Sequence, residues 1–547
     1  MSIKQSQSNG EHRTAFRTVT VFVLFCLCAC FLVLRVLSIG RDAAAAGATN
    51  PAVRRITAAV RRAPIYDTNG VLLVNNNKFY AAAVVPSAEN LAALRPVLSD
   101  EDYAKLKGAF TKNLPAVVAL KNSVERQPGL LVSPVFSRYS ENALARHVIG
   151  YTDVDGVGIT GIERAYNNLL TNHGGSLIAA FPSDAKGNLL GGEPPYWEDN
   201  NYLGRAGLQL TIDKKIQNIT ENALDLGGIT RGAAVVLDVK TGAIRAMVSR
   251  PNYDPNHVAA ALDSRDAPLL NRAVRPFAVG SVFKPAIAAA ALEAGISPDI
   301  SFVCKGYMKI GDVTIHCWNN TAHGSQTLKE GIANSCNPFF IQLAQKMPPE
   351  VLLDMARAMG YGQSALLAPG MTSSAGQLPQ EAALNELPAA LANFSFGQGD
   401  FTATPLQIAA AFACIAADGQ YHPPYLVEGL VDDDGRLYNE TERGGPYSVL
   451  RKETAAFLQD ALLYTVREGT AIKAKSEFIA ACGKTGTAQT ARYDADGNEY
   501  AAAWFAGFFP AWEPKYAVAI FKEDGRGGSA DCAPVFKRIS EELSRVG

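Results

Sequence analysis

Seventeen consecutive residues near the N-terminus, Thr18 to Leu34 (TVTVFVLFCLCACFLVL), carry no charge, and Lys4, Arg13 and Arg17 precede them. Such a run with cations on one side reads as a membrane-spanning helix whose basic flank stays in the cytoplasm. Arg35 can snorkel to the far interface, and Val36 to Ile39 extend the apolar stretch toward the roughly 20 residues that a bilayer requires. The alternative is a signal peptide cleaved among the small residues Ala43 to Ala46. The run exceeds an ordinary signal-peptide core of about 7 to 15 residues, and an arginine interrupts the path to that site, so retention is expected. The expected product is a single-pass protein of the cell membrane: a cytoplasmic tail over 1–17, an anchor over 18–39, and an extracytoplasmic remainder.

At 547 residues the chain has room for two or three domains. Its 51 basic and 52 acidic residues leave no excess charge to attract a polyanion, so no nucleic-acid role is expected. Of nine cysteines, Cys26, Cys28 and Cys30 fall in the apolar run, where they act as small apolar side chains. The other six are scattered. An oxidising exterior permits a Cys304–Cys317 bridge, which spacing alone does not establish. Cys304, His316, Cys317 and His323 also admit a metal reading, but without the CxxC or HExxH spacing that makes such readings strong. Neither metal nor cofactor is expected.

Along the chain, APIYDTNGVLLV (63–74) reads as an opening strand with a turn at Asn69-Gly70, and Asp100 to Leu114 as a helix that Pro115 would end. The Gly/Pro-rich segment GGEPPYWEDNNYLGRAG marks a domain boundary near Arg205. Beyond it, Ile212, Ile216, Ile219 and Leu224 recur at near-helical spacing. AAVVLDVKTGAIRAMV gives two apolar runs around a polar turn, and three strand-like runs near the C-terminus (FIAACGKTGTAQT, EYAAAWFAGFFP, KYAVAIFKED) suit neighbouring antiparallel strands.

The tripeptide Lys-Thr-Gly occurs twice. Lys240 to Gly242 sits at the tip of the expected hairpin, where glycine supplies the turn and lysine is solvated. GVGITG (156–161) matches a dinucleotide-binding pattern, but no strand of branched apolar residues leads into it, so no nucleotide site is expected.

Chemistry points elsewhere. Ser281 and Lys284 stand at i and i+3 where an Ala-rich helix opens, which puts hydroxyl and amine on one face with the helix N-terminus behind them. Pro285 is tolerated this early, although it deprives one carbonyl of the first turn of its usual donor. Ser335-Cys336-Asn337 follows at a junction between two helical pieces, and Lys484-Thr485-Gly486-Thr487 in a strand, where Gly483 and Gly486 leave the edge open to a substrate backbone. Three short motifs in this order resemble the S-x-x-K, S-x-N and K-T-G signature of the penicillin-binding proteins.

The resemblance extends to RPNYDPN (250–256), NRAV (271–274), HGSQTL (323–328), GQG with TPLQIA (397–409) and WFAGFFP (504–510), which are similar to segments of that transpeptidase domain. APIYDTNG and HVIGYTDVDGVGITGIERAYNNLL are similar to the non-catalytic pedestal of class B members. Departures are AVGS where PPGS is commoner, RRAPIYDTNG without the usual Arg-Gly opening, and Cys336 in the middle of S-x-N; none removes a reacting group.

The resemblance implies an α+β/α/β architecture: a transpeptidase domain of the penicillin-binding/β-lactamase type over 205–547, an antiparallel sheet flanked by helices, with an elongated pedestal or dimerisation-like domain over 40–204. That span matches the pedestal and not a glycosyltransferase, so no glycan polymerisation is expected. The implied activity is serine D,D-transpeptidation of peptidoglycan stem peptides, with β-lactams acylating the same serine. Ser281 would be the nucleophile and Lys284 its base. Ser335 would relay a proton, and Asn337 would bind the substrate amide and orient Lys284. Lys484, Thr485 and Thr487, in the strand that Gly486 opens, would hold the terminal carboxylate, with the N–H groups of Ser281 and Thr487 as oxyanion hole. A D,D-carboxypeptidase would use the same groups with water as acceptor. A β-lactam sensor would need an output domain that roughly 17 cytoplasmic residues do not supply, and a β-lactamase rarely carries a pedestal and an anchor. A SEDS-type glycosyltransferase is the implied membrane partner.

Overall fold

The computed structural model describes residues 4–45, 53–184, 188–190, 193–442, 444–493, 497 and 499–546. Met1 to Ile3 of the expected tail, and Ala46 of the small-residue run, lie outside them. Helix α1 (Lys4–Ala45) contains a stretch, Phe16–Ser38, long and apolar enough to cross a membrane, and none of it is buried in the protein.

The chain divides into two compact units. The smaller comprises 1–58, 80–133 and 178–198, and the larger 59–79, 134–177 and 199–547. Parts of the 40–204 span thus belong to the larger unit. In the smaller unit, residues 80–84 pair antiparallel with Ala116–Leu120, Tyr80 opposite Leu120 and Val84 opposite Ala116. Helices Ala88–Leu94 and Asp100–Thr111, capped by the Ser87 and Ser99 side chains, press Leu94 and Leu106 onto that sheet. The second helix stops before Pro115, because Asn113 adopts a left-handed conformation (φ 53°).

In the larger unit, strands β1 (Gly232–Asp238), β2 (Ile244–Arg250), β3 (Cys482–Tyr493), β4 (Glu499–Phe509) and β5 (Tyr516–Gly525) form one sheet in the order β2-β1-β5-β4-β3. All four pairings within it are antiparallel. Strand alternation sends neighbouring residues into different layers. Val235, Leu237 and Phe521 join the core containing α3 (Lys284–Glu293) and α6 (Pro405–Ala416), whereas Val236, Val518 and Ile520 join the one containing α2 (Lys214–Leu226) and α8 (Ala533–Val546). Both sheet faces are covered, which explains why these strands read as nearly continuous apolar runs. Between these helices along the chain lie α4 (Leu328–Ala333), α5 (Asn337–Ala344) and α7 (Lys452–Glu468).

Asp213 caps α2 by accepting from the N–H groups of Lys215 and Ile216, so Ile212 precedes the helix and the periodic face is Ile216, Ile219 and Leu224. The expected opening strand is shorter than its sequence suggested: only Ile65–Tyr66 is strand, parallel to Leu208 and Gln209. Asp67 Oδ1 accepts from the N–H groups of Asn69 and Val71, and that local turn competes with strand extension.

Candidate active site

Four pieces of backbone meet at the outer edge of β3. Gly280 to Phe283 form a 3₁₀ turn that runs into α3, and the Lys284 N–H donates to the Ser281 carbonyl. That bond satisfies the carbonyl expected to lose its donor to Pro285. Gly280 has φ +68°, and a Cβ there would sit 2.7 Å from the Thr487 oxygen. A Cβ on Gly486 would meet Val282 Cγ1 at 2.9 Å. The turn carrying Ser281 and the strand carrying Thr487 are therefore in direct backbone contact, and glycine on each side permits it. The Trp504 indole on β4 donates to the Ala278 oxygen at 2.8 Å, fixing the approach to the turn.

The Lys284 and Lys484 side chains are wholly buried beneath this edge. Lys284 Nζ donates to the Ser335 carbonyl at 2.6 Å and to Asn337 Oδ1 at 2.7 Å, and lies 3.2 Å from Ser335 Oγ. Lys484 Nζ donates to Ser335 Oγ at 2.9 Å and to the Thr485 carbonyl at 3.0 Å. Ser335 is left-handed (φ 54°) between α4 and α5. For a residue other than glycine such a conformation costs on the order of 1–3 kcal/mol, and here it accompanies both a carbonyl and a hydroxyl within reach of one amine.

Burial pushes the Lys284 amine down to about 7. Lys484 is pushed well below the ordinary lysine range, by burial first and by Lys284 second. Desolvation thus acts on both amines, since two adjacent ammonium groups without a carboxylate partner are costly in a dry site. A neutral Lys284 has two N–H bonds, which the Ser335 carbonyl and Asn337 Oδ1 occupy. Its lone pair remains available to a hydroxyl proton.

Above the amines lies a cleft of about 800 Å³, lined among others by Ser281, Ser335, Asn337, Thr485, Gly486 and Thr487. The structure therefore brings together every residue singled out from the three motifs, with the two lysines under the floor and the others on it. Among the described residues, no hydrogen bond ties Ser281 Oγ to Lys284 or Ser335. Thr485 Oγ1 donates to Thr470 Oγ1 at 3.2 Å, and Thr487 Oγ1 accepts from the Gly528 N–H at 3.3 Å. Thr470, Trp318, Gln398 and Arg526 also line the cleft. Gln398 belongs to the GQG segment singled out by resemblance, whereas nothing in the sequence surroundings of Thr470, Trp318 and Arg526 signalled them. The other Lys-Thr-Gly copy lies in the β1–β2 turn: Lys240 is exposed, Gly242 has φ +76°, and Asp238 Oδ1 accepts from the Lys240 and Thr241 N–H groups.

The family model of the penicillin-binding protein transpeptidase domain matches residues 232–541. Stage V sporulation protein D of Bacillus subtilis is 29% identical over 521 residues, covering 88% of this chain and 77% of that protein. Peptidoglycan D,D-transpeptidase PbpA of Mycolicibacterium smegmatis is 32% identical over 477 residues, covering 82% and 91%. The structure of penicillin-binding protein 3 from Mycobacterium tuberculosis complexed with aztreonam superposes with a TM-score of 0.63 at 26% identity, covering 90% of this chain and 97% of that one.

Proposed function

Because this chain belongs to the penicillin-binding protein transpeptidase family, we propose that it crosslinks peptidoglycan as a serine D,D-transpeptidase, with Ser281 as the acylated residue. The observation that carries the assignment of roles is the Lys284 amine, fully buried, pushed down to about 7 and anchored by the Ser335 carbonyl and Asn337. Neutral Lys284 takes the Ser281 proton as Oγ attacks the penultimate D-alanyl carbonyl, and the oxyanion forms against the N–H groups of Ser281 and Thr487. Losing one such donor typically costs about 2.7–4 kcal/mol. Collapse breaks the C–N bond. The departing D-alanine amine receives a proton through Ser335, which both lysines reach. The acyl-enzyme then passes its acyl group to the amine of a neighbouring stem, which gives up its proton along the same route and regenerates Ser281. Thr485 and Thr487 hold the terminal carboxylate. Lys484 adds to this from below, by holding Ser335 Oγ rather than by lining the cleft.

Stem peptides and β-lactams are the ligands, and the protein is membrane-bound through α1. Lys4, Arg13 and Arg17 support a cytoplasmic N-terminus, which puts the catalytic unit outside, beside a SEDS-type glycosyltransferase. The 40–204 segment serves as a pedestal without chemistry of its own. The test is labelled penicillin on the full-length protein in detergent. One adduct mapping to Ser281 and absent from Ser281→Ala is expected; an adduct surviving that substitution refutes the nucleophile. Crosslinked product with a supplied amine separates transpeptidation from hydrolysis to a D,D-carboxypeptidase product.

A further inference from the structure

Directly behind the Ser335–Asn337 turn, three thiols and an imidazole converge. The possible ligand atoms of Cys304, Cys317, His323 and Cys336 all lie within 4.8 Å of one another. His323 Nδ1 is 3.7 Å from Cys304 Sγ and 3.4 Å from Cys317 Sγ, and Cys317 Sγ is 3.8 Å from Cys336 Sγ. A tetrahedral zinc ion with Zn–S of about 2.3 Å and Zn–N of about 2.0–2.1 Å has ligand edges of about 3.8 Å between sulfurs and about 3.6 Å between sulfur and nitrogen. These three separations match those edges, and the other pairs lie within 4.8 Å. They are far longer than the roughly 2.05 Å of a disulfide bond.

We propose that Cys304, Cys317, His323 and Cys336 form a structural Zn²⁺ site that clamps the segment beside the cleft to the start of α5. All four positions of the tetrahedron are filled by protein and the three cysteines are buried, which suits a closed structural ion and leaves no position for a reacting water. The Gly306 N–H points at Cys304 Sγ from 3.4 Å, an arrangement that steadies a ligating thiolate. Binding requires the three thiols to ligate as thiolates, releasing three protons, with His323 ligating through unprotonated Nδ1 and keeping its proton on Nε2.

The ligand set differs from the one sequence spacing suggested. His316 is exposed on the strand Val313–His316 and belongs to no such cluster, while Cys336, the departure in the middle of S-x-N, supplies the fourth position. Cys304 and Cys317 flank the hairpin formed by Tyr307–Ile310 and Val313–His316. Thr314, Ile315 and His316 of that hairpin line the cleft, and Asn337 Nδ2 donates to the His316 carbonyl at 3.0 Å. A metal ion here would tie that wall to the backbone between Ser335 and Asn337. It would act as a positioning element with no part in bond-making.

The full-length protein, purified in detergent with a reductant and without chelator, is assayed for metal by elemental mass spectrometry. About one zinc per chain is expected, together with a loss of thermal stability on chelation that Zn²⁺ alone reverses. Refilling with Co²⁺ alone should give the intense visible bands of tetrahedral Co(II) and a thiolate charge-transfer band. Cys317→Ser and His323→Ala should lose the metal, and His316→Ala should keep it. If a variant fails to fold, the parent's refilling with Zn²⁺ and Co²⁺ decides. Reduced parent that takes up neither ion, a cobalt spectrum without thiolate character, metal lost equally from His316→Ala, or a Cys317–Cys336 disulfide that binds no metal once reduced would each overturn the site.

Discussion

Lys284→Arg separates a proton acceptor from a mere positive charge. At an ordinary lysine pKa of about 10.4, roughly one amine in a few thousand is neutral at pH 7. At the value of about 7 produced by burial, half are neutral. The gain is about 1,000-fold in reactive base, equivalent to about 4 kcal/mol. Arginine keeps the charge and much of the length but cannot release a proton near neutrality. A general base typically contributes 10²–10⁴-fold, so acylation should fall by about that factor. The assay is second-order acylation by a chromogenic β-lactam from pH 5 to 10, with thermal unfolding run in parallel and Lys284→Met as a neutral control. In the parent the amine must lose its proton to work, so the rate should rise with pH through about 7 and then level off. A flat profile, a rise only near pH 10, or a folded arginine variant within tenfold of the parent would refute the general-base role and leave Ser335 as the next candidate.

Lys484→Ala leaves Ser335 Oγ without its 2.9 Å donor and should slow acylation about five- to over a hundredfold, about 1–3 kcal/mol, whereas Lys240→Ala in the exposed turn should stay within a few-fold; the same kinetic assay compares them. Gly280→Ala should slow labelling of Ser281 at least tenfold, because the new Cβ would sit 2.7 Å from the Thr487 oxygen at a positive φ. Glu163→Gln should lower the unfolding midpoint sharply, since the buried carboxylate accepts from Arg138 at 2.6 Å and Arg62 at 3.0 Å and breaking a buried pair typically costs about 3–5 kcal/mol. Folding stability should rise with pH between about 7 and 10.4, a window in which unfolded Lys284 binds a proton that the folded site does not; a fall across that window would contradict the depressed amine.

The three motifs that meet at the cleft were legible because each is a short local device: a serine and lysine one turn apart, a turn between helices, a strand with glycines at its edge. The same locality separated the two Lys-Thr-Gly copies, one beside the polar turn of a hairpin and the other inside a long apolar strand. What stayed hidden depends on chain segments meeting in space. Cys304, Cys317, His323 and Cys336 come from a strand end, a loop and a helix cap, so no spacing rule joins them. Thr470 reaches the cleft from beyond α7, and Arg526 from the end of β5. The division into units was hidden for the same reason, since residues 59–79 and 134–177 lie with the larger unit while the chain between them does not.

Placing two lysines and a left-handed serine in a dry site destabilises the fold, and the sequence around them shows what offsets it. The residues from Ala286 to Ala291 of α3 are all buried, as is every residue of α6. Helices apolar on every side have no solvent face to satisfy and belong inside a core. In α3 the small alanines admit neighbours on all sides, and Phe283, at the step from the 3₁₀ turn into that helix, stacks among Phe394, Phe401 and Tyr361 at ring separations of 4.4–5.3 Å. Ser281 and Lys284 thus sit at the start of a helix packed on all sides, where the Lys284 side chain cannot relax toward solvent. That packing keeps the amine dry, and a dry amine is the uncharged base that the proposed mechanism requires. The Ala-rich run after Lys284, which carries no reacting group, is on this account as much a part of the catalytic apparatus as the motifs, because an outward shift of α3 that admitted water would return Lys284 to its ordinary charged state.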